Sequence, residues 1–213
     1  MKLVTYYTKT HEILFEDYFI NSLKKYDEFE ILSSTGSQHS VSGSYFSSGF
    51  NETTKDKIAF LLNILDTSCS EEEMVLFSDV DVIFINPVKD YLSSFNDFDF
   101  VFQNGIGGLN TGFFIVKNNE LSKNLLKDVI EKCHIYDNDQ LALNDLIGNH
   151  NVKFKMFGDE ILSFAHLYGP KVWSGEKFNV PENTLIFHAC WCAGIDNKIK
   201  LLDYVRDNTK IKT

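Results

Sequence analysis

The opening of the chain limits its fold more than any other stretch. Leu3 to Tyr7 is rich in strand-forming residues, a helix is predicted from about Thr10, a residue suited to capping it, to Lys25, and Phe29 to Leu32 reads as a second strand. A strand, a helix and a strand in that order make the unit that builds a parallel sheet. The rest of the chain extends this pattern. A helix is expected from Thr54 to about Asp66, with Ile58, Leu61, Leu62 and Leu65 on one face. Strands are expected at Met74 to Phe77, Val82 to Ile85, Phe98 to Phe102, Gly112 to Val116 and Thr184 to Ala189, with helices over Glu120 to Cys133, Asp139 to Ile147 and Asp196 to Arg206. Ser33 to Gly49 is rich in serine and glycine and reads as a long loop, with Tyr45, Phe46 and Phe50 near its end; it is either a surface loop or one that closes over substrate. The expectation is an α/β protein with a mostly parallel central sheet flanked by helices. With 213 residues and neither an internal repeat nor a Pro-rich linker, residues 1–213 read as a single domain.

Composition removes some functions. The formal net charge is −10 and Arg206 is the only arginine, so a face that grips nucleic acid by releasing counterions is not expected. An acidic protein that handles an anionic ligand has particular need of a bound metal. Cys69, Cys133, Cys190 and Cys192 are too sparse for a disulfide scaffold and suit free thiols in a reducing, cytoplasmic setting. Met1 to Leu14 breaks its apolar run with threonine and tyrosine and does not read as a signal peptide, and no apolar stretch is long enough to span a bilayer.

The strongest local signal is Phe77-Ser78-Asp79-Val80-Asp81-Val82-Ile83. Side chains two apart on an extended chain point the same way, so Asp79 and Asp81 can converge on one cation. Hard divalent cations take oxygen ligands and commonly share a site between carboxylates and phosphates. The same spacing also fits an acidic strand face that only meets water, and spacing alone leaves both readings open. The apolar runs on either side favour the metal, because two adjacent carboxylates held in buried surroundings are costly without a compensating cation.

Four segments in order extend the signal: Phe77 to Asp81 with Asn86-Pro87 after it, Leu109-Asn110-Thr111-Gly112-Phe113-Phe114, Asp137-Asn138-Asp139-Gln140, and His188-Ala189-Cys190-Trp191-Cys192-Ala193-Gly194 leading to Lys198. On these the chain resembles the GT-A nucleotide-diphospho-sugar transferases, most closely glycosyltransferase family 77 and more distantly family 8. The resemblance implies the GT-A, Rossmann-like fold and transfer of a sugar from a nucleoside diphosphate sugar, a UDP-sugar favoured, to a hydroxyl of a glycan or other acceptor, with retention. It makes Asp79 and Asp81 the DxD metal ligands, with Val80 between them in the nucleotide-sugar site, and His188 a third ligand. An imidazole beside carboxylates suits Mn²⁺ better than Mg²⁺. Asn110, Thr111, Gly112, Asp139 and Gln140 would lie at the donor's sugar, Tyr7 and Thr8 at its base and ribose, and Lys57, Gly194 and Lys198 at its phosphates. Asp139 is the carboxylate to test as catalytic.

Each residue also has a plainer role: Asp139 as a helix cap, Asn110 and Gly112 as turn residues, the lysines as solvated surface. A zinc site built on His188, Cys190 and Cys192 lacks the usual cysteine spacing. A haloacid-dehalogenase-type phosphatase could use Asp79 as nucleophile and Asp81 as acid-base, but that family sets its aspartates on the first strand, and Gly158-Asp159 is followed by Ser163 where its later acidic motif needs an aspartate. A catalytically silent sugar-binding protein on the same fold is the remaining alternative.

Overall fold

The computed structural model describes residues 1–26, 28–39 and 49–209. Its central sheet has six strands in the order β2-β1-β3-β6-β5-β7: β1 Lys2–Thr8, β2 Glu30–Gly36, β3 Met74–Ser78, β5 Phe100–Asn104, β6 Leu109–Lys117 and β7 Phe154–Met156. β1 pairs in parallel with β2 and β3, and β5 with β7, while β6 runs antiparallel to both β3 and β5. The carboxyl ends of β1, β3 and β5 and the amino end of β6 therefore meet on one edge, where open α/β sheets bind ligands. A second sheet, in the order β4-β9-β8, joins β4 Val82–Phe84, β9 Ile186–His188 and β8 Ile161–Ser163.

Period-two alternation divides the core between the two faces of the large sheet. Val75, Phe77, Phe114 and Val116 face one way, onto Ile58, Leu61 and Leu65 of α3 Phe50–Ser68, Leu125 and Val129 of α5 Glu120–Lys132, and Leu143 of α6 Asp139–Leu146. Leu76, Phe113 and Ile115 face the other way, where the second sheet packs together with α1 Glu12–Leu14, α2 Asn21–Leu23, α4 Lys89–Ser93, α7 Phe164–Tyr168 and α8 Ile195–Asn208. Most of the large buried rings are Phe, so the abundant phenylalanine fills the core.

Several sequence expectations shift. The first helix is not one regular helix: a 3₁₀ turn at Lys9–His11, α1, a π-helical segment at Phe15–Ile20 and α2 follow one another, and no side chain caps the start. The loop expected from Ser33 begins later, because Ser33 to Gly36 continue β2, paired with Thr5 to Thr8 of β1. As an edge strand with exposed positions, β2 accommodates serines that propensity assigns to a loop. The remainder of that loop, Tyr45 and Phe46 included, lies outside the described residues. Helix α3 starts at Phe50 behind Gly49, whose φ of 82° suits glycine, rather than at Thr54. Asn110, Thr111 and Gly112 lie within strand β6 and not in a turn. All four cysteines are free. No helix among the described residues is long and apolar enough to cross a membrane.

Candidate functional site

The chain does not stay extended through the aspartate pair. It bends at Val80 and Asp81, passing from β3 in the large sheet to β4 in the small one, and Val80 packs into the core. Backbone hydrogen bonds fix both ends of the bend: the Asp79 N–H donates to the Gly112 carbonyl at 2.7 Å, and the Ala189 N–H donates to the Asp81 carbonyl at 2.8 Å. His188 ends β9, paired with Val82 on one side and Ser163 on the other. One ligand atom each from Asp79, Asp81 and His188 lie within 4.8 Å of one another. Asp81 Oδ1 is 3.2 Å from His188 Nε2, and its Oδ2 accepts a 2.6 Å hydrogen bond from Lys198 Nζ.

The surroundings of this trio suit a divalent cation. Two carboxylates and an imidazole form a mixed oxygen and nitrogen donor set. Gly112 lies against it, and a Cβ there would stand 2.5 Å from His188 Cε1 and 2.7 Å from Asp79 Oδ2, so only glycine leaves room for the two ligands where they are. Among the described residues this is the one such grouping of His, Cys, Asp and Glu, and it includes neither Cys190 nor Cys192, the thiols on which the zinc reading rested. Burial pushes the Asp79 carboxyl up, and nearby Lys57 only partly offsets it. Asp81 goes the other way: burial disfavours its charge, but Lys198 and His188 hold it well below the usual carboxylate range. Burial likewise opposes a charge on His188, and Cys190 and Asp81 outweigh it, raising the imidazole well above its ordinary value.

Lys57 does not stand open to a ligand as a free cation. It is buried on α3, with Nζ 2.8 Å from Asp139 Oδ2 and 3.5 Å from Asp79 Oδ1, and donates to the Thr111 carbonyl at 3.2 Å. Asp139 is not the cap of α6; Asn138 takes that place, its side chain accepting from the Leu141 N–H at 2.8 Å. The Asp139 N–H donates to Thr54 Oγ1 at 3.3 Å, so the threonine expected to cap α3 instead ties it to α6. Asn110 Oδ1 accepts from the Gly112 N–H at 2.8 Å, and Gln140 follows Asp139 at a half-buried position. Gly194, with φ of 77°, turns the chain into α8, placing Lys198 on the helix's first turns.

At the end of β1, the Tyr7 ring stacks on Phe15 with centroids 4.4 Å apart, and Thr8 Oγ1 lies 3.3 Å from His11 Nδ1. Sequence reasoning passed over His11, although its place just after Tyr7-Thr8 was a usable signal. Burial, helped by Lys198, pulls its imidazole down to about 4. It also passed over Gln103, whose Oε1 lies 2.6 Å from His188 Nδ1; nothing in a lone glutamine at a strand end announces such a contact.

The sequence profile of the nucleotide-diphospho-sugar transferases matches residues 21–202. No curated protein sequence matches the chain. Among solved structures, the chain is similar to the glycosyltransferase GlyE of Streptococcus pneumoniae TIGR4, at 16% identity and a TM-score of 0.59 over 98% of this chain; the chain spans 60% of that structure's length. It is similar to the galactosyltransferase LgtC at 12% identity and a TM-score of 0.57, covering 89% of this chain and 87% of that one. It is also similar to a glycosyltransferase involved in glycosylation of the major capsid of PBCV-1, at 11% identity and a TM-score of 0.63, covering 97% of this chain and all of that one (100%). These likenesses show the GT-A fold. With most of its length under the family profile and its fold shared with these transferases, the chain belongs to the nucleotide-diphospho-sugar transferase family.

Proposed function

We propose that this chain moves a glycosyl group from a nucleoside diphosphate sugar, UDP-linked by preference, to an acceptor hydroxyl, with retention, and that Asp79, Asp81 and His188 hold Mn²⁺ or, less favourably, Mg²⁺. The observation that carries the reading is the convergence of these three ligand atoms within 4.8 Å at the carboxyl edge of a GT-A sheet. A bound divalent cation would supply charge neutralisation for the departing diphosphate.

The remaining chemistry belongs to the chain. Lys198 sits at Asp81 and can turn its ammonium to a phosphate oxygen as the diphosphate leaves. Asp139, which shares Lys57 with Asp79, supplies a carboxylate for the transferred sugar, and Gln140, Asn110 and Thr111 are assigned to that sugar with it. Lys57, bridging these two carboxylates, is better placed to hold them than to meet the nucleotide. Tyr7 and Thr8, at the carboxyl end of β1, are assigned to base and ribose, and Gly194, leading into α8, to the phosphates. The two core clusters share one central sheet, which supports reading residues 1–213 as one transferase domain. Hexosyl or pentosyl donors both fit the reading, since similar structures include a galactosyltransferase and mouse xyloside xylosyltransferase 1.

Incubation with a panel of nucleoside diphosphate sugars in Mn²⁺ tests this reading. Release of nucleoside diphosphate from one donor, abolished by a chelator, is expected. Donor binding without release would favour the catalytically silent alternative. Phosphate release from a simple phosphomonoester would favour the phosphatase.

A further inference from the structure

His188 is held by a residue outside the four segments that mark the family. Alternation along β5 sends Phe100 and Phe102 to one face of the sheet and Val101 to the other, and Gln103 follows Val101 toward the second sheet. The pairing of β5 with β6 is irregular at this point: Phe102 pairs with Phe114, but Gln103 pairs with Asn110. The intervening Thr111, Gly112 and Phe113 of β6 thus form a bulge, and such irregularities often re-aim side chains next to sites. The bulge includes the glycine against which His188 and Asp79 rest.

Gln103 is fully buried, so its amide must be satisfied by protein. Its Nε2 donates to the Leu162 carbonyl at 3.4 Å, and its Oε1 lies 2.6 Å from His188 Nδ1. Reversing the amide would set its oxygen against the Leu162 carbonyl, two acceptors facing each other. The amide oxygen can only accept, so Nδ1 of His188 carries the proton. That leaves Nε2 as the nitrogen on the side of Asp81, 3.2 Å from its Oδ1.

We propose that Gln103 is a positioning residue: it fixes the His188 ring and its Nδ1–H tautomer so that Nε2 is presented to the cation shared with Asp79 and Asp81. This rests on the metal-site reading above. Partners of this kind commonly govern metal affinity by 10- to 100-fold when removed. A residue that only fills space in the core would behave differently, since its best replacement would be an apolar side chain of similar shape.

Two variants separate the roles. Gln103→Met keeps the volume and removes the acceptor. Gln103→Glu keeps the length of the side chain and an oxygen that can accept from the Nδ1–H. Mn²⁺ is titrated into each protein with UDP held in excess, and each is melted thermally. Gln103→Met is expected to bind Mn²⁺ about 10- to 100-fold more weakly than wild type, with Gln103→Glu within a few-fold of wild type. Equal Mn²⁺ affinity in wild type and Gln103→Met overturns the proposal and leaves the metal site standing. Gln103→Met outperforming Gln103→Glu assigns Gln103 to packing and also overturns it. Wild-type protein that binds no Mn²⁺ removes the metal site and this role together. If Gln103→Met fails to fold, the histidine NMR spectrum of Mg²⁺-loaded wild type decides: a His188 Nδ1–H coupled to the Gln103 amide supports the role, and a proton on Nε2 instead contradicts it.

Discussion

Lys57 Nζ and Asp139 Oδ2 are 2.8 Å apart with both side chains almost fully buried. The contact is an ion pair rather than an aligned hydrogen bond, since Oδ2 has no hydrogen-bond partner of acceptable geometry. Burial opposes the charge on Lys57, but Asp139 and Asp79 outweigh it and raise its pKa.

Removing Lys57 therefore leaves the buried Asp139 carboxylate without its partner, beside the half-buried Asp79. Lys57→Met is expected to destabilise the fold by about 3–5 kcal/mol, the cost of stranding a buried charge, measured by urea denaturation at pH 7. Lys57→Met combined with Asp139→Leu should recover most of that stability while sugar transfer stays lost. A single Lys57→Met variant as stable as wild type would show that the pair does not compensate a buried charge.

His11 gives the fold a pH dependence. Its folded imidazole resists protonation down to about 4, against an ordinary value of 6.5, chiefly through burial and then through Lys198. Between those values the unfolded chain binds more protons, so stability rises with pH, and the folded state loses up to about 3 kcal/mol as pH falls through this window. Above pH 6.5 the contribution is flat. Urea melts at pH 4.5 and pH 7 should show this slope in wild type and a shallower one in His11→Gln; identical slopes would assign it to other groups.

Gly112→Ala tests the space beside the metal trio. The added methyl must displace the His188 ring and the Asp79 carboxylate from contacts of 2.5 and 2.7 Å. A displacement of that order in a catalytic constellation costs about 100-fold in kcat/KM, with the circular dichroism spectrum unchanged. Transfer at wild-type rate would mean that neither ligand needs its present place.

The parallel core was legible because it rests on local pattern, whereas spacing alone left the aspartate pair open, and the chain bends between the two carboxylates instead of staying extended. Period-two runs such as Val75 to Phe77 and the 3.6-residue stripe of Ile58, Leu61 and Leu65 decide their own faces. The family match bears out the resemblance that His188 and Asn110 helped to carry. What was not legible depends on distant partners. Ser33 to Gly36 become a strand only because β1 is beside them, and the π-helical segment at Phe15–Ile20 has no mark in composition. The inward turn of Lys57 requires Asp139, which is far along the chain, and Gln103 meets His188 only where two sheets pack.

The central claim is that Asp79, Asp81 and His188 hold a cation against a nucleoside diphosphate. Calorimetric titration of UDP into the protein with and without Mn²⁺, repeated on folded Asp81→Ala, tests it most directly. The account predicts binding in wild type that requires Mn²⁺ and is lost in the variant. UDP binding that ignores Mn²⁺, or that survives Asp81→Ala unchanged, would contradict it.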